Sequence, residues 1–211
     1  MKTIVYLLLI LCTVRFGYSQ RTVAKDWVIV PGNRVGPIKG QTSEKDLVRI
    51  FGQKNVRQAD IEIGEGETEP GTILFPDDQT KTAFVFWRDT TTRESPKTVS
   101  IRNKGTLWKT NKGITIETSL MAIEELNGKP FTLMGFDWDY GGTIVDCNGG
   151  RLIELGSNGQ AKTLVLRLTP SNSLRLLPEY QSVSGESDFT SDNVAMKKLN
   201  PRVYEMIVSL R

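Results

Sequence analysis

The strongest constraint on how this chain can fold is that one short sentence occurs in it twice. Residues 36–52 read GPIKGQTSEKDLVRIFG and residues 113–128 read GITIETSLMAIEELNG, with Thr42 aligned on Thr118, Ser43 on Ser119, Leu47 on Ile123, Ile50 on Leu126 and Gly52 on Gly128. The offset is 76 residues throughout. In each copy Thr or Ser stands where a helix N-cap belongs, apolar residues recur at helical spacing, and glycine supplies the stop. Downstream, Gly71 opens TILF, a turn and TAFVFW, while Gly150 opens RLIEL, a turn and KTLVLRL. The pattern predicts an α+β fold: two tandem units of a short helix and antiparallel strands, then a C-terminal extension with a closing strand.

The expected boundaries follow from composition. Residues 1–19 carry Lys2, the apolar run Ile4 to Leu11, and Gly17-Tyr18-Ser19 with small residues where signal peptidase reads them. That is a secretory signal, too short to span a bilayer as a helix, with cleavage expected between Ser19 and Gln20. Cys12 follows Leu11, not a small residue, so a lipoprotein reading gains no support. Residues 20–96 then form the first lobe, 97–170 the second and 171–211 the extension. The polar stretch Asp89 to Lys97 is the candidate linker, and RVYEMIVSL at 202–210 is a strand apolar enough to need partners on both sides. The expected location is periplasmic or extracellular.

Several chemistries close at once. The chain has no histidine, which removes Ser-His-Asp and Cys-His nucleophiles, His-ligated zinc and imidazole acid–base catalysis. Without the signal, 25 basic residues face 24 acidic ones, a balance that creates no field for nucleic acid. Cys147 is then the lone cysteine and has no internal partner; a buried small residue in the strand Thr143 to Cys147 is its expected role. No second apolar run offers a transmembrane segment. Glu62, Glu65, Glu67 and Glu69 lack calcium-loop spacing and read as a solvated acidic loop. Gly64-x-Gly66 precedes no helix, and Ser184, Ser187 and Ser191 lack a local base. No cofactor or metal is expected.

The densest chemistry lies in Phe136-Asp137-Trp138-Asp139-Tyr140, followed by Gly141-Gly142. Read as a strand, its period of two puts the three aromatics on one face and the two aspartates on the other. The candidate binding residues are therefore Trp138 and Tyr140, with Asp137 and Asp139 behind them. Two uses are open: an aromatic binding face, or a paired-carboxylate site for glycan hydrolysis through Asp137 and Asp139. The alternative is that the rings pack on the core and the aspartates face solvent.

Tandem helix-and-sheet units of this length resemble the β-lactamase-inhibitor-protein architecture and the small outer-membrane-assembly lipoproteins of the BamE type. Val35 to Trp87 and Gly135 to Gly142 are also similar to secreted proteins of Gram-negative bacteria. The resemblance implies a non-enzymatic protein-interaction or envelope-structural role through a sheet face. Its implied partner is another envelope or secreted protein, or secondarily a glycan. The inhibitor family staples its units with disulfides, whereas this chain has only Cys147, so inhibition of a β-lactamase is not carried over.

Overall fold

The computed structural model describes residues 26–64, 66–156 and 161–211. The expected signal at 1–19 and its cleavage site lie outside these residues. The fold is α+β and mostly sheet. Its strands are β1 Val28–Val30, β2 Arg34–Val35, β3 Ile38–Lys39, β4 Val56–Gly64, β5 Glu67–Leu74, β6 Ala83–Trp87, β7 Pro96–Ile101 and β8 Lys109–Thr110. They continue with β9 Thr132–Met134, β10 Ile144–Asp146, β11 Leu164–Thr169, β12 Asp188–Thr190 and β13 Arg202–Ser209. The helices are α1 Glu44–Phe51, α2 Leu120–Asn127, α3 Pro178–Gln181 and α4 Val194–Leu199.

Six strands make the main sheet, in the order β11-β13-β7-β6-β5-β4, with every neighbour antiparallel. The closing strand β13 is internal to it, as its apolar sequence requires. Register explains the sheet's two faces. Thr72, Val85, Val99, Val208 and Leu164 lie in one row across five strands and are fully buried in the core. The adjacent row, Arg57, Ile73, Phe84, Ser100, Ile207 and Val165, points the other way. The β4–β5 hairpin leans over that outer face, where Arg102 Nη1 donates to the Glu62 carbonyl at 2.8 Å.

Smaller sheets, β3-β2-β1-β8 and β10-β9-β12, complete the fold, and β1 pairs β8 in parallel. Both eight-residue helices begin and end as their sequences demand. Ser43 Oγ accepts from Asp46 N–H at 3.1 Å and Ser119 Oγ from Ala122 N–H at 3.3 Å, satisfying N-terminal donors that the helix leaves open. Thr42 Oγ1 accepts from Lys39 N–H and Thr118 Oγ1 from Thr115 N–H, each at 2.9 Å. Leu47, Phe51, Leu120 and Ile123 face the core, while Ile50 and Leu126 are only half-buried. After the glycines the two courses differ: α1 leads into the long β4–β5 hairpin, α2 into the three-residue β9.

Four local expectations are corrected. Glu62, Glu67 and Glu69 stand in the distal part of the β4–β5 hairpin, with Ile61 opposite Glu69 and Glu62 opposite Thr68. Asp89 to Lys97, expected between lobes, is largely the loop joining β6 to its sheet neighbour β7. Arg151 to Leu155 is no strand; Ile153–Leu155 is a single tight 3₁₀ turn. Its approach is tied to the end of α2, where Asn127 accepts from Leu152 N–H at 3.1 Å and donates to the Cys147 carbonyl at 2.9 Å. Those bonds take the place of a ladder. Finally, Phe136 to Tyr140, read as a strand, is not one; β9 ends at Met134.

Candidate functional site

Phe136 is the last residue of its segment held in extended pairing. Its N–H donates to the Val183 carbonyl at 2.9 Å, and Gly185 N–H donates to its own carbonyl at 2.7 Å. Asp137 then turns the chain by adopting a left-handed conformation, φ +64°. Few residues other than glycine do so, Asp and Asn most readily. The turn continues with Gly141 N–H on the Trp138 carbonyl at 2.9 Å and Thr143 N–H on the Tyr140 carbonyl at 3.1 Å. Period-two alternation is therefore broken, and the aromatics do not share a face: Phe136 is buried, Trp138 half-buried and Tyr140 63% exposed.

The turn is pinned to the edge of β11. Leu168 N–H donates to the Gly142 carbonyl at 2.9 Å, and Arg167 Nη2 donates to the Asp139 carbonyl. Gly142 has φ +70°, and a Cβ there would lie 1.8 Å from the Leu168 carbonyl oxygen, so only glycine fits this approach.

Between this turn, the end of the main sheet and the 170–181 excursion lies a cleft of about 420 Å³. Phe136, Asp137, Trp138, Arg175, Tyr180 and Tyr204 are among its walls. A bulge in β13 delivers Tyr204. Arg167 pairs with Glu205 but Leu168 with Val203, so Tyr204 is the extra residue. Val203 and Met206 both face the core, and Tyr204 and Glu205 between them turn away from it. Glu205 is buried and accepts from Ser100 Oγ and Arg102 Nε at 2.8 Å and from Arg167 Nη1 at 3.3 Å. The Arg167 guanidinium also lies 5.4 Å from the centre of the Tyr204 ring, fixing that ring from below.

At the other wall Tyr180 stacks on Phe136, rings 5.7 Å apart and 7° from parallel, and donates its hydroxyl to Asp137 Oδ1 at 2.5 Å. Burial, then the hydrogen bond to Asp137, pushes the Tyr180 hydroxyl up to about 12. Arg175 Nη1 sits 3.6 Å from the same Oδ1, with its guanidinium 5.7 Å from the Tyr180 ring centre. Burial also raises the Tyr204 hydroxyl, with Glu205 adding to the effect.

Of the four sequence candidates, Asp137 and Trp138 line the cleft. Tyr140 stands beside Trp138, edge to face, with ring centres 5.5 Å apart. Asp139 is exposed and outside the lining; it contributes its backbone carbonyl to Arg167. Sequence reasoning missed Arg175, Tyr180 and Tyr204. The one available signal was Tyr180 itself, the single aromatic ring of residues 170–181. Ser191 is buried and donates to Glu124, so it belongs to the packing of α2. Among the described residues, no group of three His, Cys, Asp or Glu side chains is placed to hold a metal ion. None of the helices there is long and apolar enough to cross a membrane.

Comparison with protein-family models, curated proteins and solved structures gives no match to this chain.

Proposed function

We propose that this chain is an exported, non-enzymatic binding protein whose ligand site is the cleft between the 136–142 turn, the outer end of the main sheet and the 170–181 excursion. One observation carries the reading: a small-ligand-sized cleft walled by Trp138, Tyr180 and Tyr204 holds one carboxylate and one guanidinium. Rigid rings give large contact area at small entropic cost, and a few placed polar groups set orientation. The sheet-face role is read here in modified form, since Tyr204 belongs to the end of β13 while the turn supplies Trp138. Hydrolysis through Asp137 and Asp139 has less support. It needs two carboxyl groups flanking one bond, about 5–10 Å apart, and Asp139 does not line the cleft.

Residues 36–52 and 113–128 are read as two copies of one helical unit, on their shared Ser capping bonds and the Thr turn bonds that precede them. Export is read from residues 1–19 and is checked by the intact mass of secreted material, which should lack them.

The test of the binding role is retention from an envelope extract by immobilised wild-type protein and by a folded Trp138→Ala variant. A protein or glycan retained by the first and lost by the second supports the cleft as the site. Identical retention by both would remove it.

A further inference from the structure

Resting on the reading of the cleft as a binding site, we propose that its ligand is a neutral saccharide. The charge arrangement selects first. Asp137 and Arg175 lie 3.6 Å apart across the cleft wall, so an anion meets the carboxylate and a cation meets the guanidinium. A charged ligand has to break this pair, whereas a neutral polar one can use both members. Both protein contacts of the carboxylate, from Tyr180 and from Arg175, fall on Oδ1. Among the described residues Oδ2 has no hydrogen-bond partner, and the Arg175 side chain donates no hydrogen bond. A free acceptor beside free donors matches neighbouring sugar hydroxyls, each of which both donates and accepts.

The walls select next. Trp138 and Tyr204 line the cleft half-buried, and Tyr140 is exposed beside Trp138; the lining rings offer surface to the C–H face of a pyranose. A peptide is disfavoured by topology. An extended segment binds by adding to a free strand edge, and β11 is the edge of the main sheet here. That edge is already taken, by Gly142 on Leu168 N–H and by the antiparallel bridge of Thr143 with Arg167. What remains open is a cleft without a ladder.

The experiment is a glycan array probed with the purified, labelled protein, carrying neutral, sialylated, sulfated and uronic-acid oligosaccharides, followed by titration of any hit by tryptophan fluorescence. Binding to neutral glycans is expected, with the Kd raised at least tenfold by Asp137→Asn and by Trp138→Ala. Arg175→Gln, on an exposed side chain whose contacts are confined to the cleft wall, should weaken binding similarly; an unchanged urea midpoint in each variant separates lost binding from misfolding. Binding confined to acidic glycans, or equal binding by wild type and all three variants, overturns the proposal. A blank array with a partner protein lost only by Trp138→Ala sinks the saccharide assignment and leaves the binding site standing. A blank array with no partner retained sinks both.

Discussion

Tyr180 donates its hydroxyl to Asp137 at 2.5 Å, joining residues 43 positions apart into one wall of the cleft. The bond favours the protonated phenol, and burial favours it more, so the folded chain holds this proton up to about pH 12 while an unfolded tyrosine releases it near 10. The sign follows from proton counts: between those values the folded state binds more protons, so stability is full below pH 10 and declines toward pH 12. The loss should be larger in wild type than in Tyr180→Phe by on the order of 1–2 kcal/mol, the raised Tyr204 hydroxyl titrating in both. Denaturant melts across this window decide it. Parallel decline in wild type and Tyr180→Phe would show that Tyr180 is not the titrating group.

Asp137 combines a left-handed backbone with a carboxylate that accepts from Tyr180. Asp137→Gly and Asp137→Ala both remove the carboxylate, so their difference isolates the backbone. Glycine adopts φ +64° freely and alanine does not, so the Gly variant should be the more stable by about 1 kcal/mol. Equal melting of the two would mean the turn relaxes when the carboxylate goes.

What the sequence disclosed and what it hid divide along range. Ser43, Gly52, Ser119 and Gly128 mark the helix ends because capping is decided within a few residues. The apolar alternation of β13 is equally local. The Phe-x-Trp-x-Tyr run satisfied the strand period yet forms a turn, because Asp137 is held left-handed by partners from 175–180 and Gly142 by close approach to β11. Tyr204 reached the cleft through a bulge that its alternating neighbours do not announce. Half the cleft thus came from pairings that no local pattern encodes.

Glu205 is a buried carboxylate shared by Arg102, Arg167 and Ser100. Glu205→Ala leaves two guanidinium groups without their common partner and should destabilise by about 3–5 kcal/mol. Glu205→Gln retains hydrogen-bonding atoms and should lose less. Because Arg167 also holds the Asp139 carbonyl, Trp138 fluorescence should become more accessible to quencher in the Ala variant. A loss below about 1 kcal/mol would show the network to be dispensable.

Leu47 of α1 and Ile123 of α2, aligned in sequence, are both fully buried. Removing either should therefore leave a cavity, and Leu47→Ala and Ile123→Ala should each destabilise by about 2–5 kcal/mol. Ile50 and Leu126, the next aligned pair, are both half-buried. Leu126→Ala removes less buried surface, and the chain can close around the smaller side chain from the solvent side, so its loss should be clearly smaller than that of Ile123→Ala. Urea midpoints at constant m-value compare the four variants directly. If Leu126→Ala or Ile50→Ala destabilises as much as its fully buried partner, the helix faces are misassigned. If the 47/123 and 50/126 pairs rank in opposite order in the two helices, the equivalence of the two units fails with them.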